Sequence, residues 1–290
     1  MQSVKQPSIC ILIPYFGAWP FWMSIFMESC RYNSSIDWIL YTDCGTPDNC
    51  PGNVRVVDIT YSDYCRKISI FLDLKFMPEN SYKLCDIKPA LGYIHADELV
   101  GYDFWGYSDI DLVYGDLRAY FSNERLQSKD LFSTTGRRVS GHFCLMRNTE
   151  EMRSAFMRAK DWRQVLSSNQ HAAFDEKHFS KIFIRHKNSL SIIRTMAAKF
   201  DSWLTKAEFN ETYVTPNARI PWVDGTYNFP TEWYWTNGIV TNNLTGGHGF
   251  PYFHFMVWKS KWSKSAMTSM LDLGNMRSEA VFTERGITVV

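Results

Sequence analysis

The sequence lacks the features that mark several common classes of protein. Lys and Arg number 31 against 30 for Asp and Glu, so no overall charge attracts a nucleic acid, and an anion site must be built locally. No apolar run reaches the roughly 18 residues of a membrane span. Pro14 interrupts the short N-terminal apolar run, which is unlike a signal peptide. We therefore expect a cytoplasmic protein with no nucleic-acid partner.

Two kinds of binding motif are missing as well. The seven cysteines are scattered without a CxxC pair, and their odd number favours free thiols in a reducing compartment over structural zinc. Neither GxGxxG nor the P-loop pattern GxxxxGK followed by Ser or Thr occurs. These absences exclude the phosphate-binding loops of dinucleotide-binding proteins and P-loop NTPases.

The first part of the chain alternates between strand and helix signals. An apolar run starts at Ile9 and stops at Pro14 and Gly17, FWMSIFMESCRYN predicts a helix, and DWILYTD and VRVVDIT predict two more strands. This alternation predicts an α/β domain whose ligand loops lie at the carboxyl ends of the strands. The loop residues expected to meet a nucleotide base and ribose are Pro14, Tyr15, Phe16, Gly17 and Asp43.

The rest of the chain continues the α/β pattern and then becomes irregular. Helical spacing follows Pro89, and residues 149–168 predict a helix capped by Thr149. Trp, Tyr, Asn, Gly and Pro dominate residues 213–258, so we expect an irregular, aromatic-rich C-terminal part. With 45% hydrophobic residues and no repeat or linker, the sequence predicts one domain with a substantial core.

Two carboxylates end the predicted strand in FWGYSDIDLVYGD. Asp109 and Asp111 are separated by one residue, so at a strand end their side chains point the same way. Such a pair is a hard-oxygen site for Mg²⁺ or Mn²⁺, and the ion would carry the phosphates of a nucleotide. The alternative is turn chemistry, in which Asp side chains bond nearby backbone amides.

Two further segments hold residues with donor-binding chemistry. In YFHFMVWKSK, His254 would complete the coordination of Mn²⁺ and Lys259 would neutralise a diphosphate, unless they are a core histidine and a solvated lysine. In RRVSGHFCLMRN, Gly141 would allow close approach of a ligand and His142 would bond sugar hydroxyls, unless the glycine only bends a strand.

An acidic pair follows an apolar segment in HAAFDEKHF. Asp175 or Glu176 would bind an acceptor hydroxyl and remove its proton. Solvated helix residues would give the same pattern, so the sequence leaves both interpretations open.

Several motifs together resemble a known family. They resemble bacterial polysaccharide-biosynthesis glycosyltransferases of the GT-A type, found in capsule and O-antigen gene clusters, over roughly residues 8–260. His254 and Lys259 are similar to the metal-ligand His and phosphate-binding Lys of glycogenin-like and lipooligosaccharide galactosyltransferases. The pattern departs after Lys259, because Ser260 stands where the family continues Pro-Trp. The motifs, in order, are ILIPYFG, YTD, DIKPALGY, FWGYSDIDLVYGDL, SGHFCLMRN, FDE and FHFMVWK.

The resemblance implies a fold, a cofactor and a set of roles. It implies a GT-A fold with a mixed central sheet flanked by helices, a nucleotide-diphosphate sugar donor such as a UDP-hexose, and a Mn²⁺ or Mg²⁺ ion. Asp111 would be the main carboxylate ligand, Asp109 would reach the ribose or the ion through water, and His254 would complete the set. Lys83, Asp86 and Lys88 would contact the donor sugar or phosphate. Asp175 or Glu176 would deprotonate the acceptor if the reaction inverts the anomeric centre, whereas a retaining enzyme would not need this base.

The resemblance also implies a division of the single domain, residues 1–290. Residues 8–120 would bind nucleotide and metal, residues 121–260 would lie on the acceptor side, and residues 261–290 would form a C-terminal tail. The expected function is transfer of a sugar to a saccharide or lipid-linked oligosaccharide during surface polysaccharide synthesis.

Two other functions and a membrane contact stay open. A sugar nucleotidyltransferase would also use an Asp pair, but PYFGAWP has no basic residue. In WKSKWSKSAMTSM, Lys259, Lys261 and Lys264 alternate with Trp258 and Trp262, so this stretch would dock on the inner membrane unless it is a solvated helix. A non-catalytic carbohydrate-binding protein would stack sugars on Trp222, Trp233, Tyr234, Trp235 and Trp258.

Overall fold

A mixed β-sheet lies at the centre of the protein. The computed structural model describes residues 5–184, 191–262 and 279–289. Its strands are β1 (Ile9–Pro14), β2 (Ile36–Thr42), β3 (Val54–Asp58), β4 (Phe104–Ser108), β5 (Leu112–Tyr114), β6 (Leu131–Ser133), β7 (Phe143–Arg147), β8 (Ala207–Phe209), β9 (Glu232–Thr236), β10 (Ile239–Asn242), β11 (Tyr252–His254), β12 (Glu279–Thr283) and β13 (Gly286–Val289). Within these ranges, seven strands form one sheet in the order β3-β2-β1-β4-β7-β6-β8.

The sheet combines parallel and antiparallel strands. β1 pairs in parallel with β2 and β4, and β2 with β3, whereas β7 runs antiparallel to both β4 and β6. On β1, Ile9, Ile11 and Ile13 enter the core on one face, while Cys10 and Leu12 enter the core on the other. An apolar run with no polar alternation therefore marks a strand that is covered on both faces. The predicted mixed central sheet flanked by helices is confirmed.

Helices cover both faces of the sheet. α1 packs Phe26 and Met27 into the same core as Ile11, and α2 packs Tyr64 and Ile68 into the core on the opposite face. The α-helices are α1 (Met23–Arg31), α2 (Tyr61–Leu72), α3 (Leu91–Ile94), α4 (Leu117–Tyr120), α5 (Asn123–Ser128), α6 (Glu150–Arg153), α7 (Trp162–Ser167), α8 (Ser180–Phe183), α9 (Ser191–Phe200) and α10 (Met256–Trp262). Tighter helical segments span Ser81–Ala90, Ala155–Arg158 and Ser202–Thr205, and a wider π-helical turn spans Asp175–Phe179. Among the described residues, no helix is both long and apolar enough to cross a membrane.

The predicted continuous helix over residues 149–168 is wrong. Thr149 does cap the first turn, where its hydroxyl accepts a hydrogen bond from the Met152 amide at 3.2 Å. The chain then leaves the helical conformation at Ala159. This break brings Phe156 and Trp162 into one core cluster, where their rings meet edge-on with centroids 5.2 Å apart. Tertiary packing therefore overrides the local helical preference.

The C-terminal part adds two small sheets. In the described part of the chain, β10, β9, β12 and β13 form an antiparallel sheet, so residues 279–289 of the expected tail pair with β9 through β12. β11 pairs antiparallel with β5 and sets His254 opposite Leu112. This short pairing brings the C-terminal histidine beside the aspartate pair.

Candidate active site

The aspartate pair forms the connection between β4 and β5. Ile110 is buried in the core between the two aspartates, whereas Asp109 and Asp111 each offer an oxygen to one cluster of possible metal ligands. Three hydrogen bonds hold the backbone here: from the Asp109 amide to the His142 carbonyl (3.0 Å), from Trp22 Nε1 to the Ile110 carbonyl (2.9 Å), and from the Phe255 amide to the Asp111 carbonyl (3.2 Å).

His254 completes this cluster from the end of β11. One ligand atom of His254, one of Asp109 and one of Asp111 all lie within 4.8 Å of one another. His254 Nε2 lies 3.6 Å from Asp111 Oδ2, is buried, and has no hydrogen-bond partner among the described residues. Its Nδ1 lies 2.8 Å from Thr215 Oγ1. A proton on Nδ1 would be donated to this hydroxyl, which would leave the Nε2 lone pair facing the carboxylates.

Two lysines neutralise the two aspartates. Lys259 Nζ lies 2.6 Å from Asp111 Oδ2. Burial raises the pKa of Asp111, but His254 and the Lys259 ammonium together bring it well below its usual range. Lys88 pairs with Asp109 and donates to the Gly141 carbonyl at 2.6 Å. Burial lowers the pKa of Lys88, but Asp109 outweighs it and raises the pKa above its usual range.

His142 also faces this cluster. Its ring stacks on the His254 ring, with centroids 4.2 Å apart and planes at 19°. Burial, and then the neighbouring His254, lower the pKa of His142 well below its usual value, so the ring is neutral. Its Nδ1 lies 3.2 Å from Ser140 Oγ, and its buried Nε2 has no hydrogen-bond partner in the part of the chain that the structure describes.

The acidic pair of residues 175 and 176 packs against Gly141. A Cβ atom on Gly141 would lie 3.0 Å from Asp175 Oδ2 and 3.2 Å from Glu176 Oε1. The glycine therefore permits close approach of these carboxylates to the backbone. Asp175 is 3% exposed, and its Oδ1 accepts a hydrogen bond from the Glu176 amide at 2.8 Å. Burial raises the pKa of Asp175 to about 7, although the nearby Lys88 lowers it.

Lys83 and Asp86 lie beneath the site as a buried ion pair, with Lys83 Nζ 2.8 Å from Asp86 Oδ2. Both side chains bind the segment that leads to Asp175 and do not contact the aspartate pair. Of the predicted donor-binding residues Lys83, Asp86 and Lys88, only Lys88 reaches that pair. Lys83 donates to the Val165 and Gln170 carbonyls, and Asp86 accepts from the Ala172 and Phe174 amides, all at 2.8 Å.

The loop after β1 lies at the same edge of the sheet as the aspartate pair. Asp43 Oδ1 accepts a hydrogen bond from the Gly17 amide at 2.8 Å, so Asp43 shapes this loop, which begins at Pro14. Burial raises the pKa of Tyr15. The charge of Lys259 lowers this pKa and the charge of Asp111 raises it, so Tyr15 lies near both residues. Phe16 instead turns into the core.

Sequence patterns gave no indication of three residues around the site. Thr215 orients His254 from 39 positions away, and Arg138 Nη1 lies 3.4 Å from Glu176 Oε2. The exposed Tyr82 is close enough for Asp109, Lys88 and Lys259 to act on its pKa, which burial raises first. Thr215 and Tyr82 lie outside the quoted motifs, although Tyr82 adjoins Lys83. Arg138 lies within RRVSGHFCLMRN, but that pattern marks only Gly141 and His142.

The predicted sugar-stacking tryptophans belong to the core. Trp222, Trp233, Trp235 and Trp258 are all buried, so only Tyr234 of that set is partly exposed. These aromatic rings pack into one core cluster together with the large buried side chains of β9 and β11.

The tryptophans of the predicted membrane contact over residues 258–264 are also in the core, so they do not face a membrane. Trp258 and Trp262 are buried, while Lys259 pairs with Asp111 and Lys261 with Glu284 at 2.7 Å. Lys264 lies outside the described residues.

Comparisons with known proteins place the chain in a family and show weak structural likenesses. A sequence profile described as "Family of unknown function (DUF6625)" matches residues 11–276. No curated protein matches this sequence. All three similar structures below are named as glycosyltransferases, but TM-scores under 0.5 are too low to carry over an activity.

The first is galactosyltransferase LgtC in complex with donor and acceptor sugar analogs, at 11% identity, with 59% of this chain and 71% of that chain covered and a TM-score of 0.35. Apo GlyE from Streptococcus pneumoniae TIGR4 is 14% identical, with 73% of this chain and 46% of that chain covered and a TM-score of 0.32. Apo mouse xyloside xylosyltransferase 1 is 12% identical, with 72% of this chain and 87% of that chain covered and a TM-score of 0.39.

Proposed function

The chain belongs to the DUF6625 family, and we propose that it is a metal-dependent glycosyltransferase of the GT-A type that uses a nucleotide-diphosphate sugar. The supporting observation is the convergence of Asp109, Asp111 and His254, which each offer a ligand atom within 4.8 Å of the others. Lys88 and Lys259 flank this cluster. A UDP-hexose is the proposed donor, and Mn²⁺ or Mg²⁺ the proposed ion.

The residues present fit a divalent cation. Two carboxylates and a neutral imidazole nitrogen are ligands that suit Mn²⁺, and the buried Nε2 of His254 would gain a partner. Asp111 and His254 would be the direct ligands, with Asp109 bound directly or through water. A bound ion supplies Lewis-acid stabilisation of the diphosphate leaving group.

The charges around the cluster favour joint binding of ion and nucleotide. Asp109 and Asp111 are already balanced by Lys88 and Lys259. A divalent ion alone would leave the cluster with an excess of positive charge, whereas a diphosphate would cancel that excess. We propose that Lys259 turns from Asp111 to the diphosphate when both are bound.

Asp175 is the proposed base for the acceptor. A carboxyl with a pKa of about 7 is partly ionised at neutral pH and accepts a proton more readily than an ordinary aspartate. Gly141 brings it to the same backbone segment that binds Lys88. This arrangement favours inversion, with Glu176 and His142 in contact with substrate hydroxyls.

The remaining predicted residues receive supporting roles. Tyr15, Gly17 and Asp43 would form the nucleotide loop. Residues 8–120 would bind the nucleotide and, together with His254 and Lys259, the metal and the diphosphate, whereas the rest of residues 121–260 would lie on the acceptor side. Lys83 and Asp86 would position the segment before Asp175 without contacting the donor.

The proposed acceptor is a saccharide or a lipid-linked oligosaccharide in the synthesis of a surface polysaccharide such as capsule or O-antigen. The proposed place of action is the cytoplasm, at the inner face of the membrane. The carbohydrate-binding alternative loses support because its tryptophans are buried. A nucleotidyltransferase would need basic residues in the loop after β1, which are absent from the sequence of that loop.

Calorimetry with UDP and GDP, each with and without Mn²⁺, tests this proposal. The wild type should bind one nucleotide only with Mn²⁺, and Asp111→Asn should weaken that binding more than about 100-fold, because even outer partners of a metal ligand contribute about 10–100-fold.

Asp116→Asn is the matched control for this test. Asp116 lies five positions on and accepts the Ala119 amide at 2.8 Å as a helix cap, a role that Asn fills. The control should therefore bind like the wild type. Absence of binding to any nucleotide, or full binding by Asp111→Asn, would contradict the proposal.

A further inference from the structure

A helix on the acceptor side exposes an apolar face. Ile192, Ile193, Met196 and Phe200 of α9 are 65%, 45%, 56% and 88% exposed. At 100° per residue these four positions fall within one 100° arc of the helix, so they form a continuous face. We call this set of four side chains the α9 face. Exposed apolar side chains grouped in this way mark an interaction surface.

The charge of the surrounding sequence indicates the partner. Residues 177–200 contain six Lys and Arg and no Asp or Glu, although the whole chain is nearly neutral. Of these basic residues, Lys177, Lys181 and Lys199 are exposed, and Lys199 borders the α9 face on the helical wheel. A helix with large apolar residues on one face and cations nearby binds in the interface of an anionic bilayer.

From this combination we infer that the α9 face docks on an anionic membrane surface. Ile192, Ile193, Met196 and Phe200 enter the boundary between headgroups and acyl chains, while Lys199 contacts lipid phosphates. The inference differs from docking through residues 258–264, because the α9 side chains are exposed where Trp258 and Trp262 are buried.

The fold links this surface to the site. α9 packs on Ser202–Thr205, which packs on α8, and α8 packs on the π-helical turn that holds Asp175. If the proposed function is correct, docking brings a lipid-linked acceptor to the side of the protein that carries its base. Membrane binding itself needs no donor, ion or acceptor, so it is tested independently of the proposed function.

Flotation of the full-length protein with vesicles tests the inference. Vesicles of phosphatidylcholine with phosphatidylglycerol should carry the wild type to the top of the gradient, whereas pure phosphatidylcholine and high salt should not. The double substitution Met196→Ser with Phe200→Ser should reduce the bound fraction by about tenfold or more, because it removes two large apolar side chains from contact with lipid. The control Ile70→Ser removes an apolar side chain that is 72% exposed on α2 and should bind like the wild type.

Three further measurements test whether the double variant is folded and whether the α9 face binds a second copy of the chain. Circular dichroism and thermal unfolding should show that the double variant is folded, because both replaced side chains are more than half exposed. Light scattering should show a monomer for wild type and double variant alike. Failure of the wild type to bind anionic vesicles, equal binding by the double variant, or a dimer that the double substitution dissociates would each overturn the inference.

Discussion

Replacement of Asp175 by Asn should stabilise the protein at alkaline pH. Burial raises the pKa of the Asp175 carboxyl from 3.8 to about 7, so the folded state binds this proton more tightly than the unfolded state does. The stabilisation from the bound proton is complete below pH 4 and is lost as the pH rises to about 7. Asn cannot ionise, yet its side-chain oxygen keeps the acceptor for the Glu176 amide.

The size of the effect follows from the two pKa values. A tenfold change in proton affinity corresponds to about 1.4 kcal/mol, so the difference between 3.8 and about 7 corresponds to about 4 kcal/mol. Solvent screens this carboxyl little, because it is almost wholly buried. The advantage of Asp175→Asn should grow by about 1.4 kcal/mol per pH unit between these values and then stay constant.

Urea unfolding at several pH values between 5 and 8 measures this difference. Glu176→Gln is the control, because Glu176 is partly exposed and its ion pair with Arg138 should contribute less than about 1 kcal/mol. The same Asp175→Asn variant should lose transfer activity, and the activity of the wild type should rise as the pH passes through 7. A stability difference that does not change with pH, or a less stable variant at pH 8, would refute the reasoning.

Three other substitutions test the contacts around the site. The Lys259→Met variant should bind Mn²⁺ alone about fivefold more tightly in a spin-resonance titration, because it removes a partly exposed ion pair of about 1 kcal/mol with Asp111. Lys261→Met is the control, and weaker Mn²⁺ binding by Lys259→Met would contradict the expectation. Gly141→Ala should lower the free energy of unfolding in urea by about 1–3 kcal/mol, since its Cβ would crowd two carboxylates; an unchanged midpoint would show that they move aside freely. Lys83→Met should lower the free energy of unfolding by about 3 kcal/mol in the same assay, because it removes the lysine partner of the buried Asp86. This is the lower end of the range for a broken buried pair, since Asp86 keeps the Ala172 and Phe174 amides and lies 3.3 Å from His171 Nδ1; an unchanged free energy would contradict the expectation.

The sequence predicts the strands of the central sheet better than its helices. The run from Ile9 to Ile13 is apolar on both faces and ends at Pro14, so the local sequence predicts both its burial and its end. The local sequence does not predict the break in the helix at Ala159, because that break depends on where Phe156 and Trp162 pack in the core. Helical propensity alone therefore predicts one long helix where the core requires three short segments.

The site shows a similar division between local and distant causes. The spacing of Asp109 and Asp111 is visible in the sequence, whereas their meeting with His254 depends on the pairing of β5 with β11, more than a hundred residues apart. Lys83 and Lys88 look alike in the sequence. Only the fold shows that Lys83 is buried against carbonyl oxygens and that Lys88 reaches Asp109.

Gly141 has a consequence for both sides of the proposed reaction centre. Its carbonyl binds the lysine that pairs with Asp109, and its Cα lies against the carboxylate of Asp175. The proposed base and the lysine on the metal side therefore meet at the same residue. A displacement of Gly141 would therefore disturb the metal side and the acceptor side of the proposed centre at once.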